Sequence, residues 1–389
     1  MNHNRSYGAV AFASAALVIL SLSACATIES DLPQVDWSDG QPITGARLET
    51  VIDGLDHPWS VAWLPDGGLL ITERDGHLLY FSDASSEPIE VAGAPEVFAE
   101  GQGGLLDIAL HPEFEQNRFV YLSYSAGERS ANRTEVSRFV FANQQLGPAE
   151  LVFAVEEYKS GTQHFGSRLL FLPDGTLLVS VGDGGNPPLR FEGDWQRVQA
   201  QNEETLFGNL VRINDDGTIP ADNPFLGVDG ARPELYTIGH RNVQGLDRDE
   251  STGTVWVTEH GSRGGDEVNR IEAGENYGWP LVSHSREYVR GTPVSENQSL
   301  PEYADPTLVW MATVAPSGLA ARDRVLYAGG LRSNALHLVE VSEEGEFLSH
   351  DYLPIGARVR DVRFGPDGEL YVLTDEEETG RLIRVSLPI

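Results

Sequence analysis

The chain has one cysteine and one lysine in 389 residues. Because Cys25 is the only cysteine, an intrachain disulfide is excluded. Lys159 is the only lysine, so every other member of the 27 basic residues is an arginine. Acidic residues number 59, and the resulting net charge of −32 argues against nucleic acid as a partner, since a phosphate backbone is repelled by such a surface.

Several sequence signatures of common enzymes are also missing. The chain has no zinc-ligand spacing, no Walker or Rossmann glycine string and no Gly-x-Ser-x-Gly elbow. The GQGG run that begins at Gly101 is not followed by a helix-forming sequence, which argues against a phosphate cradle. From Leu48 onward no amphipathic helix of normal length is evident, so the pattern indicates an all-β protein.

The N-terminus has the features of a secretory signal. Arg5 precedes an apolar run over residues 9–22 that is short for a membrane span, and the run ends in LSAC. This order resembles a bacterial lipobox, in which the cysteine is lipidated and becomes the mature N-terminus. We therefore expect a lipoprotein signal peptide over residues 1–24, a linker over 25–45 with a lipid anchor on Cys25, and a periplasmic or other extracytoplasmic, membrane-anchored location.

A repeated unit runs through the rest of the chain. The clearest copies are LPDGGLLITERDGHLLYF from Leu64, LPDGTLLVSVGDGG from Leu172 and GPDGELYVLTD from Gly365, and three weaker copies begin at His111, Arg248 and Ala321. In each clear copy Pro fixes φ and Gly supplies the left-handed position of a tight turn between strands. Six units predict a six-bladed β-propeller of four-stranded antiparallel blades over residues 46–389. A pair of β-sandwiches is the alternative fold.

Residues 239–280 contain the densest set of polar groups beside a short predicted strand. The set comprises Arg241, Asn242, Asp266, Glu267 and Tyr277. Loops that project from a rigid sheet can bring such groups to a ligand without burying them in a core, so this stretch has the composition of a binding site. Taken alone, it fits a well-capped acidic surface turn equally well. In a closed propeller, residues 101–110, 163–170 and 358–362 would meet it at the central channel.

Six motifs in this order resemble the soluble quinoprotein glucose and aldose sugar dehydrogenases, which use pyrroloquinoline quinone (PQQ). The resemblance runs from about Leu55 to the C-terminus and is carried by GQGGLLDIALHPEF, HFGSRLLFLPDG, IGHRNVQGL, EHGSRGGDEVN with NYGWP, ATVAPSGL and RVRDVRFGPDGELYVLTD. It implies PQQ-dependent oxidation of aldoses to lactones. The residues that it implies at the cofactor are Gln102, Arg241, Asn242, Arg332, Arg358 and Arg360.

The resemblance also implies a catalytic base and two calcium ions. His164 matches the base, and Arg241 matches the residue at the reactive carbonyl edge of the cofactor. One Ca²⁺ would be held by the backbone carbonyls of Gly261 and Ser262, where the family has a Gly-Pro pair. The second, structural Ca²⁺ is implied at Glu267 and at the backbone oxygen of Tyr277.

The chemistry of the residues is consistent with this interpretation. Arg358 and Arg360 are spaced i, i+2, which puts both guanidinium groups on one face of a strand, where they can bind carboxylates of a planar anion or bridge neighbouring acids such as Asp361. His164 lies in a Gly-flanked turn, and an imidazole suits removal of a hydroxyl proton near neutral pH. His111 fits a turn-packing role and His240 a supporting one.

Two other functions remain open from the residues alone. A calcium-dependent lactonase-type hydrolase would use the same ring with carboxylates on one central metal. A non-catalytic carbohydrate- or protein-binding propeller would use aromatic platforms, for which Trp195, Trp279 and Trp310 are candidates. For the dehydrogenase, residues 191–201 and 283–303 are expected to shape the sugar pocket. The partners are then an aldose and an unidentified electron acceptor, and a homodimer stays open because the family includes dimers.

Overall fold

The structure, a computed structural model, describes residues 32–388. These residues form six antiparallel sheets of four or five strands with hardly any helix, arranged as a six-bladed β-propeller. The predicted all-β propeller is therefore confirmed. The one α-helix in this range is a single turn at Phe114–Asn117, and short 3₁₀ helices occupy Trp37–Asp39 and Gln196–Gln201.

Blades 1 to 3 are listed here from the innermost strand outward. Blade 1 contains Pro58–Trp63, Leu69–Glu73, Leu78–Phe81 and Ile89–Glu90. Blade 2 contains Leu105–Leu110, Phe119–Glu128 and Ala131–Ala142, and the last of these pairs with both Gln145–Leu146 and Glu150–Ala154. Blade 3 contains Leu169–Phe171, Leu177–Val181, Asn209–Ile213 and Leu235–Thr237, and carries an inserted hairpin made of Arg190–Phe191 and Asp194–Trp195.

Blades 4 to 6 complete the ring. Blade 4 contains Val243–Arg248, Val255–Glu259, Asp266–Ile271 and Leu308–Trp310. Blade 5 contains Pro316–Arg322, Val325–Gly330, Ala335–Val341 and Phe347–Pro354. Blade 6 contains Val359–Phe364, Leu370–Thr374 and Gly380–Ser386, and its outer strand is Arg47–Leu55 from the start of the domain. This last pairing joins the two ends of the chain and closes the ring.

The Pro-Asp-Gly turns connect the first and second strands of blades 1, 3 and 6. In blade 1 the amide of Gly67 donates to the carbonyl of Leu64, and Gly67 has a φ of 93°, so the predicted left-handed glycine is confirmed. Strands buried on both faces, such as Leu69–Glu73 and Leu370–Thr374, stack against the next blade. Hydrophobic clusters therefore lie between successive blades, and the loops opposite the Pro-Asp-Gly turns are free to build a site.

The segment expected to be a linker contains two short strands. Gln34–Val35 pairs in parallel with the outer strand of blade 4, and Gln41–Pro42 pairs in parallel with the outer strand of blade 5. Two blades thus have a fifth, parallel strand that the four-stranded pattern did not predict, and their exposed edges are covered. The expected signal peptide and Cys25 lie outside the described residues. Within residues 32–388, no helix has the length and apolar character needed to cross a membrane.

A buried ion-pair network fills the centre of the ring. Asp361 forms an ion pair with Arg168 at 2.8 Å and accepts a hydrogen bond from Arg363 at 2.8 Å, and Arg363 also donates to Asp107 at 2.6 Å. Ser60 donates to Asp107 at 2.6 Å. These residues come from blades 1, 2, 3 and 6, so the network, which we call the central plug, joins four blades across the axis.

Candidate active site

The loops that precede the innermost strands, together with those between the second and third strands, gather at one end of the ring. They surround two adjoining cavities of about 510 Å³ and about 260 Å³. Gln102 and His260 line both cavities. The larger is also lined by His164 and Arg241, and the smaller by Asn242, Arg358 and Arg360. Residues from segments far apart in the sequence therefore meet at one place.

His164 stands in a strained turn that its neighbours hold in place. Its φ is 52°, an uncommon value for a residue with a side chain. The His164 amide donates to the Oε1 atom of Gln102 at 2.8 Å, and the Gly166 amide donates to the Oδ1 atom of Asn242 at 3.1 Å. A β-carbon on Gly182 would lie 2.2 Å from the His164 carbonyl, so only glycine allows this approach. Gln102 and Asn242 thus position the histidine with their oxygens and leave their amide nitrogens for a ligand.

His164 forms a pair with a buried carboxylate. Its Nδ1 atom lies 2.6 Å from Oδ1 of Asp183, and the other carboxylate oxygen accepts from the indole nitrogen of Trp279 at 2.9 Å. The imidazole is 4% exposed. Burial lowers the pKa of His164 below its ordinary 6.5, Arg241 acts in the same direction, and Asp183 opposes both. The ring is therefore held neutral with Nε2 available as a proton acceptor.

Arg241 extends along the larger cavity from the loop before blade 4. Its guanidinium donates to the His260 carbonyl at 3.0 Å and to Oδ1 of Asn186 at 2.9 Å, while its amide donates to Glu259 at 2.7 Å. The buried Nε atom has no hydrogen-bond partner among the described residues. The same holds for Nε2 of His260, whose pKa burial lowers to about 3. Two nitrogens at the cavity therefore lack partners, which is a feature of binding sites.

Arg358 and Arg360 share one carboxylate at the smaller cavity. Their guanidinium groups lie 3.1 Å and 2.7 Å from the same oxygen of Asp375, whose other oxygen contacts His57 at 2.9 Å. Burial acts to raise the pKa of Asp375, but Arg360, His57 and Arg358 outweigh it and hold that pKa far below its ordinary value. The two arginines are thus on one face and do bridge an acid, although this acid is Asp375 and not Asp361.

Other expected site residues lie elsewhere or have different surroundings. Arg332 is exposed and is not part of the lining of either cavity. His111 packs beside Tyr121 and accepts the Glu113 amide at 2.9 Å, on the side of the Pro-Asp-Gly turns, as its turn-packing role predicts. His240 is fully buried, with one ring nitrogen 2.9 Å from Glu259 and the other 2.9 Å from Thr237. Neither histidine has the position of a base.

The three candidate aromatic platforms also differ in their surroundings. Trp310 is completely buried in blade 4, and Trp279 is 5% exposed behind Asp183. Trp195 is half-exposed, with the guanidinium of Arg190 3.8 Å from its ring centroid. Of the aromatic side chains, Tyr288 is the one that lines the larger cavity, and it is 52% exposed. Its neighbour Glu287 pairs with Arg197 at 2.7 Å, which ties together the two loops expected to shape a sugar pocket.

The turn after the second strand of blade 4 brings Gly261 and Ser262 beside His260. The Gly261 amide donates to Asp266 at 2.7 Å, and the other Asp266 oxygen accepts the amides of Val314 and Ala315, each at 2.8 Å. A β-carbon on Gly261 would lie 2.2 Å from the Gly264 carbonyl. The hydroxyl of Ser262 is buried and has no partner among the described residues.

Glu267 is partly buried and lies opposite the buried Glu259 on the neighbouring strand. The amide nitrogen of Asn269 bridges Glu259 at 3.0 Å and Glu267 at 3.4 Å, and the Asn269 oxygen has no partner within the described chain. Burial, and after it the nearby Glu259, raise the pKa of Glu267 well above its ordinary value. The phenol of Tyr277 is occupied, because it donates to the Arg270 carbonyl at 2.7 Å and accepts the Glu272 amide at 3.0 Å. Only the backbone oxygen of Tyr277 could be a ligand.

The residues of the site that were not found from the sequence include three that share one position in their blades. Asp183 lies in a VGDGG stretch that has the appearance of a turn, His260 follows a strand directly, and Arg74 lines the smaller cavity after the second strand of blade 1. All three lie just after the second strand of a blade, and Asp375 has the same position in blade 6. An alignment of the six repeats could therefore have identified this position as part of the site.

Comparisons with known proteins agree with this geometry. A family model described as "Glucose / Sorbosone dehydrogenase" matches residues 55–384. The aldose sugar dehydrogenase of Escherichia coli (strain K12) is 37% identical over 358 residues, which cover 87% of this chain and 92% of that protein. Quinoprotein glucose dehydrogenase B of Acinetobacter calcoaceticus is 27% identical over 84% of this chain and 85% of its own. The solved structure of the PQQ-bound aldose sugar dehydrogenase from Streptomyces coelicolor has a TM-score of 0.72 at 28% identity, and covers 89% of this chain and 100% of that one.

Proposed function

The chain belongs to the glucose/sorbosone dehydrogenase family, and from this membership and its site we propose that it oxidises aldose sugars at the anomeric carbon to lactones with PQQ as cofactor. The observation that carries the proposal is the His164–Asp183 pair beside a cluster of arginines in one cavity system. A hydrolase would need no such cluster, and a docking module would need no buried base.

The residues present fit a planar, triply anionic cofactor. Arg74, Arg358 and Arg360 line the smaller cavity and Arg241 the larger one, in a chain that is otherwise strongly acidic. Buried nitrogens on Arg241, Arg360 and His260 have no partners within residues 32–388, and a polyanion with carbonyl oxygens would satisfy them. We infer that Arg74, Arg358 and Arg360 would hold carboxylates and that Arg241 would face the reactive edge. PQQ, when bound, supplies a quinone that accepts hydride from the sugar.

Residues of the chain itself would remove the proton of the anomeric hydroxyl group. His164 accepts the anomeric hydroxyl proton at Nε2, because Asp183 occupies Nδ1 and the ring is neutral. Asp183 stabilises the imidazolium that forms and fixes the ring orientation through its second bond to Trp279. Gln102 and Asn242 maintain the turn that carries the base.

Reconstitution tests the proposed activity directly. Purified apoprotein, supplied with PQQ, Ca²⁺ and an artificial electron-accepting dye, should reduce the dye when aldoses are added, with activity saturating near one PQQ per chain. The same preparation without PQQ is the control. Folded protein that reduces no dye with any aldose, or that hydrolyses lactones without PQQ, would contradict the proposal.

We also propose that Ca²⁺ binds at both sites implied by the resemblance. The Gly261–Ser262 carbonyls supply hard oxygen ligands at the cofactor, and Glu267 with the Tyr277 carbonyl forms the structural site. Support for the second site comes from the neighbouring carboxylates of Glu259, which is buried, and Glu267, which is partly buried; a divalent cation would compensate their negative charge.

Calcium should therefore stabilise the apoprotein through Glu267. At a concentration of about 100 times its Kd, Ca²⁺ adds about 2.7 kcal/mol, which corresponds to a Tm increase of roughly 3 to 5 °C in a chain of this length. In Glu267→Gln the part of the increase that is due to this site should disappear, whereas Glu250→Gln on the opposite end of the ring should keep the full increase. Differential scanning calorimetry with and without EDTA measures the effect. Equal increases in both variants would argue against the site.

We further propose that Cys25 anchors the protein to a membrane on the extracytoplasmic side. The support is the basic start, the apolar run and the LSAC sequence. In a bacterial host, labelled palmitate should be incorporated into the wild-type protein and should be absent from Cys25→Ser. The variant should also leave the membrane fraction. Label retained in Cys25→Ser would exclude this anchor.

A further inference from the structure

We propose that Lys159 is a positioning residue whose buried ammonium lies behind the His164–Asp183 pair and sets the charge of that pair. The inference rests on the proposed dehydrogenase function and deepens it. Lys159 is the only lysine of the chain, and it is 4% exposed. A buried cation in a protein whose other basic residues are all arginine requires a physical explanation.

The Lys159 side chain is held between the two catalytic segments. Its Nζ atom lies 3.8 Å from the ring centroid of Phe165, the residue after His164. Its Cδ atom lies 2.8 Å from the place where a β-carbon would stand on Gly184, the residue after Asp183. Nζ donates to Oδ1 of Asn132 at 2.9 Å, which is the one hydrogen bond that the structure gives it. The lysine therefore contacts the neighbour of each partner in the pair.

The backbone around Lys159 fixes this position. The amides and carbonyls of Lys159 and Asn132 exchange two hydrogen bonds of 2.9 Å, and the Asn132 side chain donates to the Gly161 carbonyl at 2.8 Å. Residues 159–164 therefore lead from this brace directly to His164. A shift of Lys159 would be transmitted to the base.

The positive charge of Lys159 affects the protonation of the His164–Asp183 pair. Burial lowers the pKa of Lys159 to about 7, and Asp183 opposes that shift. The charged or titratable groups that face His164 are Arg241, Asp183, Lys159 and, through the cavity, His260. Arg241 and, to a smaller extent, Lys159 act to lower the pKa of His164. Below neutral pH the ammonium therefore helps to keep the imidazole unprotonated and able to accept a proton.

Removal of the charge should move the pH profile. In Lys159→Met the acidic limb of kcat/KM should shift to higher pH by about half a unit or more, because His164 loses a neighbouring positive charge. Arg232→Met removes a cation that is paired with Glu156 and Glu234 away from the cavity, and it should leave the profile unchanged. If the role of Lys159 were purely structural, Lys159→Met would lower kcat or Tm without shifting the acidic limb of the kcat/KM profile.

Two titrations need neither cofactor nor sugar, so they separate this proposal from the proposed function. Protein labelled with ¹³Cε-lysine gives one lysine signal, which should titrate near 7 in the wild type and at lower pH in Asp183→Asn. The imidazole signals of ¹⁵N-labelled protein, with His164 assigned by its loss in His164→Asn, should show a higher pKa for His164 in Lys159→Met. A lysine titration that is the same in the wild type and in Asp183→Asn, or a His164 titration unaffected by Lys159→Met, would overturn the inference even if the dehydrogenase is active.

Discussion

Replacing His164 with asparagine is expected to lower kcat by about two to four orders of magnitude, the usual contribution of a general base. Asparagine is the suitable replacement because it tolerates the left-handed φ of 52° at this position. The hydrogen bond from the residue 164 amide to Gln102 should survive, so cofactor affinity and Tm should change little. Stopped-flow measurement of sugar-dependent dye reduction gives the rate of the chemical step.

His111→Asn is the matched control, since it makes the same substitution in a turn at the other end of the ring. It should keep the wild-type kcat. Equal kcat values for the two variants would remove His164 from the mechanism. The pH dependence provides a second check, because His164 must be neutral to accept a proton. Its pKa is lowered below the ordinary 6.5. We therefore expect kcat/KM to stay constant as the pH falls to 6.5, and to decline at lower pH, where His164 becomes protonated.

Replacing Asp361 with asparagine is expected to destabilise the protein by about 3 to 5 kcal/mol, the cost of breaking a buried ion pair. Asp361 pairs with both Arg168 and Arg363 in the central plug, and its loss leaves the buried Arg168 and the partly buried Arg363 guanidinium groups short of negative charge. Burial would raise the pKa of Asp361, but Arg168 and Arg363 outweigh it and keep the carboxylate ionised. Urea denaturation followed by tryptophan fluorescence measures the change.

The control for this second variant is Asp174→Asn. Asp174 also pairs with an arginine, Arg212, at 2.6 Å, but its side chain is 50% exposed. Exposed pairs contribute about 0 to 1 kcal/mol, so the loss should be small. If the free energy of unfolding fell by the same amount in both variants, burial would not explain the contribution of the central plug to stability.

Local features of the ring could be predicted from the sequence because each depends on neighbouring residues. The Pro-Asp-Gly turns fix hairpins within a few positions, and the i, i+2 spacing put Arg358 and Arg360 on one face. The turn around His164 was also evident from its flanking glycine. The count of six blades followed from counting such units.

Features that depend on distant partners could not be predicted in the same way. Arg47–Leu55 pairs with the last strand of the chain, and strands as short as Gln34–Val35 have no periodicity to detect. Asp183 is recognisable as the partner of His164 only when two loops meet in space. The central plug likewise takes one or two residues from each of four blades, and each of them looks like an ordinary strand residue in the sequence.

The central plug also supports the site. Arg168 donates to the carbonyls of Gln244 and Arg360, and both of these residues line the smaller cavity. The ion pairs that join four blades therefore also hold the wall against which, in the proposed function, the cofactor would lie. Loss of an ion pair in the plug should then disturb the shape of the cavity as well as the stability of the ring.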